Sequence, residues 1–232
     1  MRAEDAYVAV WRAARRGADR VGLLDRLERS GSRAAAHLRS MFAIHDVHDM
    51  IRLDLAWWTY EAIDEVEALL GARGGQARVF EFGAGASTLW LGRRAGEVHS
   101  VEHDAGFAGF LQPLIEPLPH VQLRLVQVPR STAPGVPSQR RGHAGLDFAD
   151  YVAAIDDVAG EFDLVVVDGR ARVASARRAL PRLAPGGLLL LDNANRAEYA
   201  SVVADPSLDV QLTRGATPCL PYPTATALIR LR

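Results

Sequence analysis

The chain has 232 residues, 49% of them apolar and 24% charged, with a formal net charge of −1. That length accommodates one full-sized domain plus a small extension. A charge this close to zero gives no electrostatic footprint for nucleic acid or an anionic membrane, and a single cysteine, Cys219, excludes an internal disulfide and a cysteine-built zinc module.

Cys219 reads as a small apolar residue in a packed region rather than a reactive thiol. Glu4 and Asp5 stand where a secretory leader needs basic residues, and the longest apolar runs, 164–167 and 188–191, are far too short to span a bilayer. A cytoplasmic protein is expected, with neither membrane nor nucleic acid as partner.

Residues 1–40 are rich in Ala, Leu and Arg, with helical spacing such as Val21, Leu24 and Leu27. The pattern predicts one or two amphipathic helices, broken at Ser30-Gly31-Ser32. They could cover the sheet, mediate a homodimer or wall a substrate pocket. His45 and His48 have the spacing to share a helical face, but no further ligand type completes a metal site nearby, and they read as solvated polar residues. Residues 55–70 form a second helical pattern, stopped by Gly71 and Gly74-Gly75. Its aromatic start, Trp57, Trp58 and Tyr60, reads as core packing. The organisation predicted is a helical extension over 1–54 and an α/β domain over 55–232.

Around residue 79 the pattern changes. Val79-Phe-Glu-Phe82 is an apolar run that breaks into Gly83-Ala-Gly85, and a helical pattern opens at Ser87-Thr88. A strand, a glycine turn and a helix start make the first unit of an open α/β sheet. Gly83 and Gly85 permit positive φ and close approach of a ligand to the backbone. Ser87 or Thr88 can cap the helix, whose free N–H groups would face that ligand.

Further strands are predicted over 97–102, 121–128, 162–168 and 188–192, with helices over 104–115, 147–158, 173–183 and 198–203. Residues 184–187 read as a helix stop and turn. Two last strands, 208–213 and 224–231, are joined by too little chain for a crossover helix and should pair antiparallel. Residues 129–145, rich in Pro, Gly, Ser and Arg, are expected to form a mobile surface loop of the length that often serves function.

In an open parallel sheet, ligands bind outside the carboxyl ends of the strands. Acids stand at three of those ends: Glu102, Asp168 and Asp192. Glu102 lies about twenty residues beyond the turn, where an acid binds ribose hydroxyls. Thr88 replaces the third glycine of the dinucleotide fingerprint, which argues against a nicotinamide or flavin cofactor. Glu81, ahead of the turn, would repel a pyrophosphate and suits a ligand with a cationic group.

At these residues the chain resembles the class I S-adenosylmethionine-dependent methyltransferases. Glu81-Phe-Gly-Ala-Gly85 matches their first motif, Glu102 the acid ending the second strand, 162–168 the fourth-strand motif, and Leu183-Ala-Pro-Gly-Gly-Leu188 the turn into the fifth strand. The resemblance covers about 55–232, and four motifs in order and at the right intervals are specific. It implies a Rossmann-like, doubly wound, mostly parallel seven-stranded sheet with the last strand antiparallel, bearing the N-terminal helices as an extension. It also implies S-adenosylmethionine as cofactor, held by Glu81, Gly83, Ala84, Gly85, Ser87, Thr88, Glu102, His103 and Asp168. In that scheme the turn takes the methionyl part with Glu81 near its amino group, Glu102 takes the ribose and His103 flanks the adenine.

Asp168 and the pair Asp192-Asn193 match positions where cation-dependent O-methyltransferases of the catechol and caffeoyl-coenzyme A types supply metal ligands. By that likeness a divalent cation, Mg²⁺, would orient a substrate hydroxyl and lower its pKa. Those enzymes often carry a lysine soon after the first Asp, whereas this chain reads Asp168-Gly-Arg-Ala-Arg172. Arg170 cannot act as a base, but it could bind a substrate carboxylate or phosphate, or pair with Asp168. The proton would go to Asp168 or to His143, folded in from the loop. The alternative to metal binding is that Asp168, Asp192, Asn193 and Arg170 orient the acceptor directly, because methyl transfer depends above all on alignment.

The function expected is methyl transfer from S-adenosylmethionine to a small-molecule hydroxyl. Two other readings stay open: an NAD(P)-dependent oxidoreductase, and a catalytically inactive binding or scaffold protein of the same fold. Nucleic-acid methylation is disfavoured by the lack of a basic tract and of an Asn-Pro-Pro-Tyr-like signature after the fourth strand.

Overall fold

In a computed structural model, which describes residues 3–44, 46–138 and 142–232, seven strands form one sheet in the order β3-β2-β1-β4-β5-β7-β6. The strands are β1 (Arg78–Phe82), β2 (Glu97–Glu102), β3 (Val121–Leu125), β4 (Phe162–Val167), β5 (Leu183–Asp192), β6 (Leu208–Gly215) and β7 (Thr224–Leu231). The first five run parallel, and β7 is antiparallel to both β5 and β6. Strand order reverses between β1 and β4, which places the ligand crevice at their carboxyl ends.

Alternation along the strands fills both faces. Phe80, Phe82, Val165, Val167, Leu189 and Leu191 pack on one side. Val79, Val98, Leu164, Val166, Leu188 and Leu190 pack on the other. The first face is covered by α8 (Ala149–Ala153), α9 (Arg172–Ala179) and α10 (Ala200–Val203), the second by α5 (Tyr60–Ala72), α6 (Ala86–Gly92) and α7 (Ala105–Ile115). Continuous burial on both faces is what the Leu- and Val-rich runs of β4 and β5 require.

Several boundaries differ from the sequence pattern, each for a local reason. The helix expected from residue 55 begins at Tyr60, because Thr59 caps it by accepting from the Ala62 N–H at 3.3 Å. The preceding Trp58 leaves the helical path, is fully buried and packs edge-on against Trp90, with ring centroids 5.6 Å apart. Residues 184–187, expected as a turn, belong to β5: Phe162 pairs with Leu183 but Leu164 pairs with Leu188, and Gly186 (φ 73°) absorbs the extra residues. The helix expected over 173–183 is α9 followed by a 3₁₀ turn, Leu180–Arg182, carrying Pro181.

The loop expected to be mobile is tied down where it is described. Arg130 pairs with Leu146 and Pro137 with Asp147 as isolated antiparallel bridges. The Asp147 carboxylate accepts from the backbone N–H groups of Gly135, Val136 and Ala149, and these donors hold its pKa below the usual range. Residues 139–141 of that loop and His45 lie outside the described residues.

Among the described residues four helices precede the α/β part: α1 (Ala3–Arg20), α2 (Leu23–Arg29), α3 (Arg33–Met41) and α4 (Val47–Arg52). The break at Ser30-Gly31-Ser32 is present, with Gly31 at φ 64° and Ser32 capping α3 through the Ala35 N–H. Arg39, 3% exposed, makes paired 3.0 Å bonds to Asp49 and a 2.7 Å bond to Glu28, and so ties α2, α3 and α4 together. A buried pair such as this is costly to break from one side, about 3–5 kcal/mol. Ile44, Met50 and Cys219 pack on Ala86, the first residue of α6. The Cys219 N–H donates to Ser40 Oγ at 2.8 Å, and burial pushes its thiol up to about 12. The extension therefore covers the helix that opens at the glycine turn. No helix among the described residues is long and apolar enough to cross a membrane.

Candidate cofactor and acceptor site

Glu81 points from β1 to the face that α6 covers and is completely buried. The β1–β2 register sets Ser100 directly opposite it. Ser100 and Thr88 donate to its Oε2 at 2.6 Å, and Ser87 donates to Oε1 at 2.5 Å. Burial pushes its pKa up to about 7, and the three hydroxyls oppose that shift. Thr88 Oγ1 also accepts from the Gly85 N–H at 2.9 Å. Glu81, Ser87 and Thr88 therefore form a hydroxyl-bonded support beneath the turn, and Thr88, fully buried, closes the helix start on the strand where a third glycine would otherwise sit.

The two glycines of the turn serve different ends. Gly83 has φ 95°, and a Cβ there would lie 2.4 Å from Gly169 Cα and 2.6 Å from Gly169 N. Glycine is required by conformation and by space. Gly85 is extended (φ −177°), a conformation open to any residue; a Cβ on it would meet only Ser87 Oγ, at 3.7 Å. The positive φ expected at both positions is thus needed only at Gly83, while Gly85 keeps the space in front of α6 clear. Gly169 is constrained in turn, since a Cβ there would fall 2.0 Å from the Tyr151 hydroxyl. Ala84, between the two turn glycines, is buried.

At the end of β2, Glu102 Oε1 accepts from the backbone N–H groups of His103 and Asp104 at 2.8 and 2.7 Å. His103 Nδ1 lies 2.7 Å from the same oxygen. These contacts fix the carboxylate through one oxygen and turn the other away from the backbone. His103 also stands 3.3 Å from His143, Nε2 to Nε2, and its ring lies against Phe148 and Tyr151. The loop brings in His143 as expected, where Arg170 Nε approaches it at 3.4 Å.

The β4 and β5 ends are joined by a residue to which sequence reasoning gave no role. Arg172, 6% exposed, donates from Nη2 to Asp168 Oδ1 at 2.6 Å and to the Asp168 carbonyl at 2.5 Å. Its Nη1 donates to the Asp192 carbonyl at 2.5 Å and approaches Asn193 Oδ1 at 3.4 Å and Asp192 Oδ2 at 3.9 Å. Its Nε donates to the Gly169 carbonyl at 3.1 Å, and the guanidinium lies over the Tyr199 ring. Asp192 is 3% exposed and accepts from Thr226 Oγ1 and Asn193 Nδ2. Burial and the neighbouring Asp168 charge push its pKa up to about 7. Asn193 adopts φ 54°, a left-handed conformation that aims its amide back at Asp192. Asp168 keeps a quarter of its side chain exposed, and burial raises its pKa against the pull of Arg172 and Arg170. A cavity of about 310 Å³ is lined in part by residues 169–174 of this β4–α9 turn.

A family model described as a methyltransferase domain matches residues 80–194. That span contains the glycine turn and all three acidic strand ends. The chain belongs to the class I S-adenosylmethionine-dependent methyltransferases. Solved structures of this fold include an O-methyltransferase from Bacillus cereus in complex with SAH, 16% identical with a TM-score of 0.56, over 97% of this chain and 100% of that one. The cofactor-bound Rv0187 from MTB is 20% identical, with a TM-score of 0.56 over 83% of this chain and 89% of that one. The O-methyltransferase TomG from Streptomyces achromogenes, in complex with SAM, is 18% identical, with a TM-score of 0.52 over 83% and 89%. No curated protein sequence matches the chain.

The residues of this methyltransferase fit its cofactor. Gly83 and Gly85 leave a side-chain-free approach to the start of α6, and Glu102 presents a fixed carboxylate at the end of the neighbouring strand. The residues do not fit the divalent cation that the Asp168, Asp192 and Asn193 pattern suggested. Oxygen ligands bind Mg²⁺ with their lone pairs directed at the metal. Here Arg172 already lies between the oxygens of Asp168, Asp192 and Asn193 and supplies the positive charge.

The i to i+4 spacing of Asp168 and Arg172 was the available signal for this pair. Ser100, Gly169 and Tyr151 carried no comparable mark, because only the strand register and the packing of α8 bring them to the site.

Proposed function

We propose that this methyltransferase transfers the methyl group to a hydroxyl oxygen of a small molecule, with Arg172 standing where cation-dependent relatives would use a metal. The observation that carries the reading is the Arg172 clamp on Asp168 and Asp192, beside a cavity of small-molecule size. Bound S-adenosylmethionine supplies an electrophilic sulfonium methyl group.

The chain's part is to hold and align. Glu102 binds the ribose hydroxyls through the oxygen not engaged by the backbone, and His103 borders the adenine. Gly83 and Gly85 admit the methionyl part, while Glu81, Ser87 and Thr88 keep the turn rigid beneath it. With an acceptor hydroxyl held in line behind that methyl group, the products would be an ether and S-adenosylhomocysteine. The hydroxyl proton passes to Asp168, the more exposed of the two acids, whose raised pKa makes it a better proton acceptor than an ordinary carboxylate. Arg172 fixes that carboxylate, and Asp192 and Asn193 fix Arg172 in turn. An O-methyltransferase from Bacillus cereus and another from Streptomyces achromogenes share the fold, which supports oxygen as the acceptor atom.

The test is an assay with ¹³C-methyl-labelled cofactor, hydroxylated acceptors and a chelator. Label recovered as an O-methyl ether at an undiminished rate is expected. Label on nitrogen or carbon, or activity abolished by the chelator and restored by Mg²⁺, would overturn the reading.

A further inference from the structure

We propose that the Tyr151 hydroxyl is a second ribose-binding group, donating a hydrogen bond to a cofactor hydroxyl that in turn donates to Glu102. This rests on the reading of Glu102 as the ribose acid and adds to that site a residue from outside the four sequence motifs.

Tyr151 stands on α8, which packs on the sheet face that carries Phe82 and Val101. Its ring is fully buried among Phe82, Phe148 and His103, with centroids 5.7, 5.8 and 6.1 Å away. These neighbours aim the phenol at the seam between the β1 and β4 ends. A Cβ on Gly169 would lie 2.0 Å from the Tyr151 hydroxyl and 2.9 Å from Gly83 N. That seam is where strand order reverses and the ligand crevice opens. Gly169 thereby gains a purpose: only a residue without a side chain lets the tyrosine reach the crevice from beneath.

The hydroxyl oxygen is faced by the Arg170 backbone N–H and lies within electrostatic reach of Glu102. Its proton finds no acceptor among the described residues. Burial and the Glu102 charge hold its pKa well above the ordinary phenol value, against the pull of Arg170 and Arg172, so the group keeps its proton and is a donor. A buried donor without an acceptor is costly and rare in a folded chain. It is screened from bulk water: its proton is not spent on solvent, and the contact forms by a side-chain adjustment as the ribose seats.

Glu102 is the complement of this group. The His103 and Asp104 N–H groups engage one of its carboxylate oxygens and leave the other. A donor with a spare proton beside an acceptor with a spare oxygen suits a partner that gives one hydrogen bond and takes another. A hydroxyl does both, and the ribose of the cofactor carries two on adjacent carbons.

The experiment is calorimetric titration of the full chain and of Tyr151→Phe with S-adenosylhomocysteine and with its 2′-deoxy and 3′-deoxy analogues. Thermal melts of both proteins without ligand accompany it. In the parent, at least one deoxy analogue is expected to bind about tenfold or more weakly than S-adenosylhomocysteine, as loss of a bond to a carboxylate predicts. Tyr151→Phe keeps the ring and loses the spare proton. It should bind S-adenosylhomocysteine about three- to tenfold more weakly, the range of one neutral hydrogen bond, and the deoxy penalty should shrink by a similar factor. Its melting temperature without ligand should match or exceed the parent's, since the substitution removes a buried hydroxyl whose proton is unpaired. A deoxy penalty as large in Tyr151→Phe as in the parent would overturn the proposal and leave Glu102 on the ribose; a lower melting temperature beside it would assign the hydroxyl to the fold. Deoxy analogues that bind the parent as tightly as S-adenosylhomocysteine would instead strike the ribose reading of Glu102, and this proposal with it.

Discussion

At the β1–β2 end of the crevice, Glu81 and Glu102 are held by neutral donors: three hydroxyls for the first, two backbone N–H groups for the second. At the β4–β5 end, Asp168 and Asp192 are held by a buried guanidinium. One residue class at equivalent strand ends is thus stabilised in two ways, and the difference separates two tasks. At Glu102 the donors engage one carboxylate oxygen, which leaves the other for recognition of ribose hydroxyls, whereas at Glu81 they occupy both oxygens of a buried acid and brace the turn. The guanidinium cancels charge between two acids that would otherwise repel each other, and it fixes their geometry without a metal. A carboxylate's position at a strand end therefore does not state its role; its partner does.

The largest effect should come from the seam between the two ends. Gly83→Ala sets a Cβ against Gly169 backbone atoms that have no room to retreat, and at φ 95° it adds backbone strain of order 1–3 kcal/mol. Loss of S-adenosylhomocysteine binding in calorimetry is expected, with a marked fall in melting temperature; unchanged affinity would show that the turn is not the cofactor's approach.

Arg172→Ala leaves two buried acids facing each other, and denaturant titration should show a loss of about 3–5 kcal/mol. Methyl transfer should collapse with it, and added Mg²⁺ or Mn²⁺ should recover part of the stability by taking the vacated place. A variant as stable as the parent would remove the contrast between the two ends.

Glu102→Gln should weaken S-adenosylhomocysteine by about 1.5–3 kcal/mol while sparing stability, the signature of a recognition acid. The smallest effect is one of pH. Glu81 and Asp192, both pushed up to about 7, keep protons in the folded chain that the unfolded chain releases nearer the ordinary carboxylate range. The contribution of these two groups to stability is therefore greatest below that range and falls as pH rises toward about 7. Glu81→Gln should flatten part of that slope in melts at successive pH values; an unchanged slope would mean that Glu81 titrates normally.

Much of this was legible in the sequence because it is local. Val79-Phe-Glu-Phe82 followed by Gly83 specifies a strand and a turn, and Glu102 follows at an interval set by one helix and one strand. The pairing of β6 with β7 follows from a connection too short for a crossover. What escaped is non-local or depends on packing. Ser100 meets Glu81 only through the β1–β2 register, and Gly169 is fixed by a tyrosine from a different helix. The sequence left metal binding and direct orientation of the acceptor both open at Asp168, Asp192 and Asn193, because it did not show that Arg172 lies between them. The described part of the loop over 129–145, polar and irregular in sequence, is tied by the Asp147 carboxylate and by two isolated antiparallel bridges.

The division between the two ends is tested most directly by a crystal structure of the protein with S-adenosylhomocysteine, grown in millimolar magnesium. The account predicts the ribose hydroxyls on the Glu102 oxygen that the backbone does not engage, and Arg172 still seated between Asp168 and Asp192. A cation between those two aspartates with Arg172 displaced, or a ribose bound away from Glu102, would contradict it.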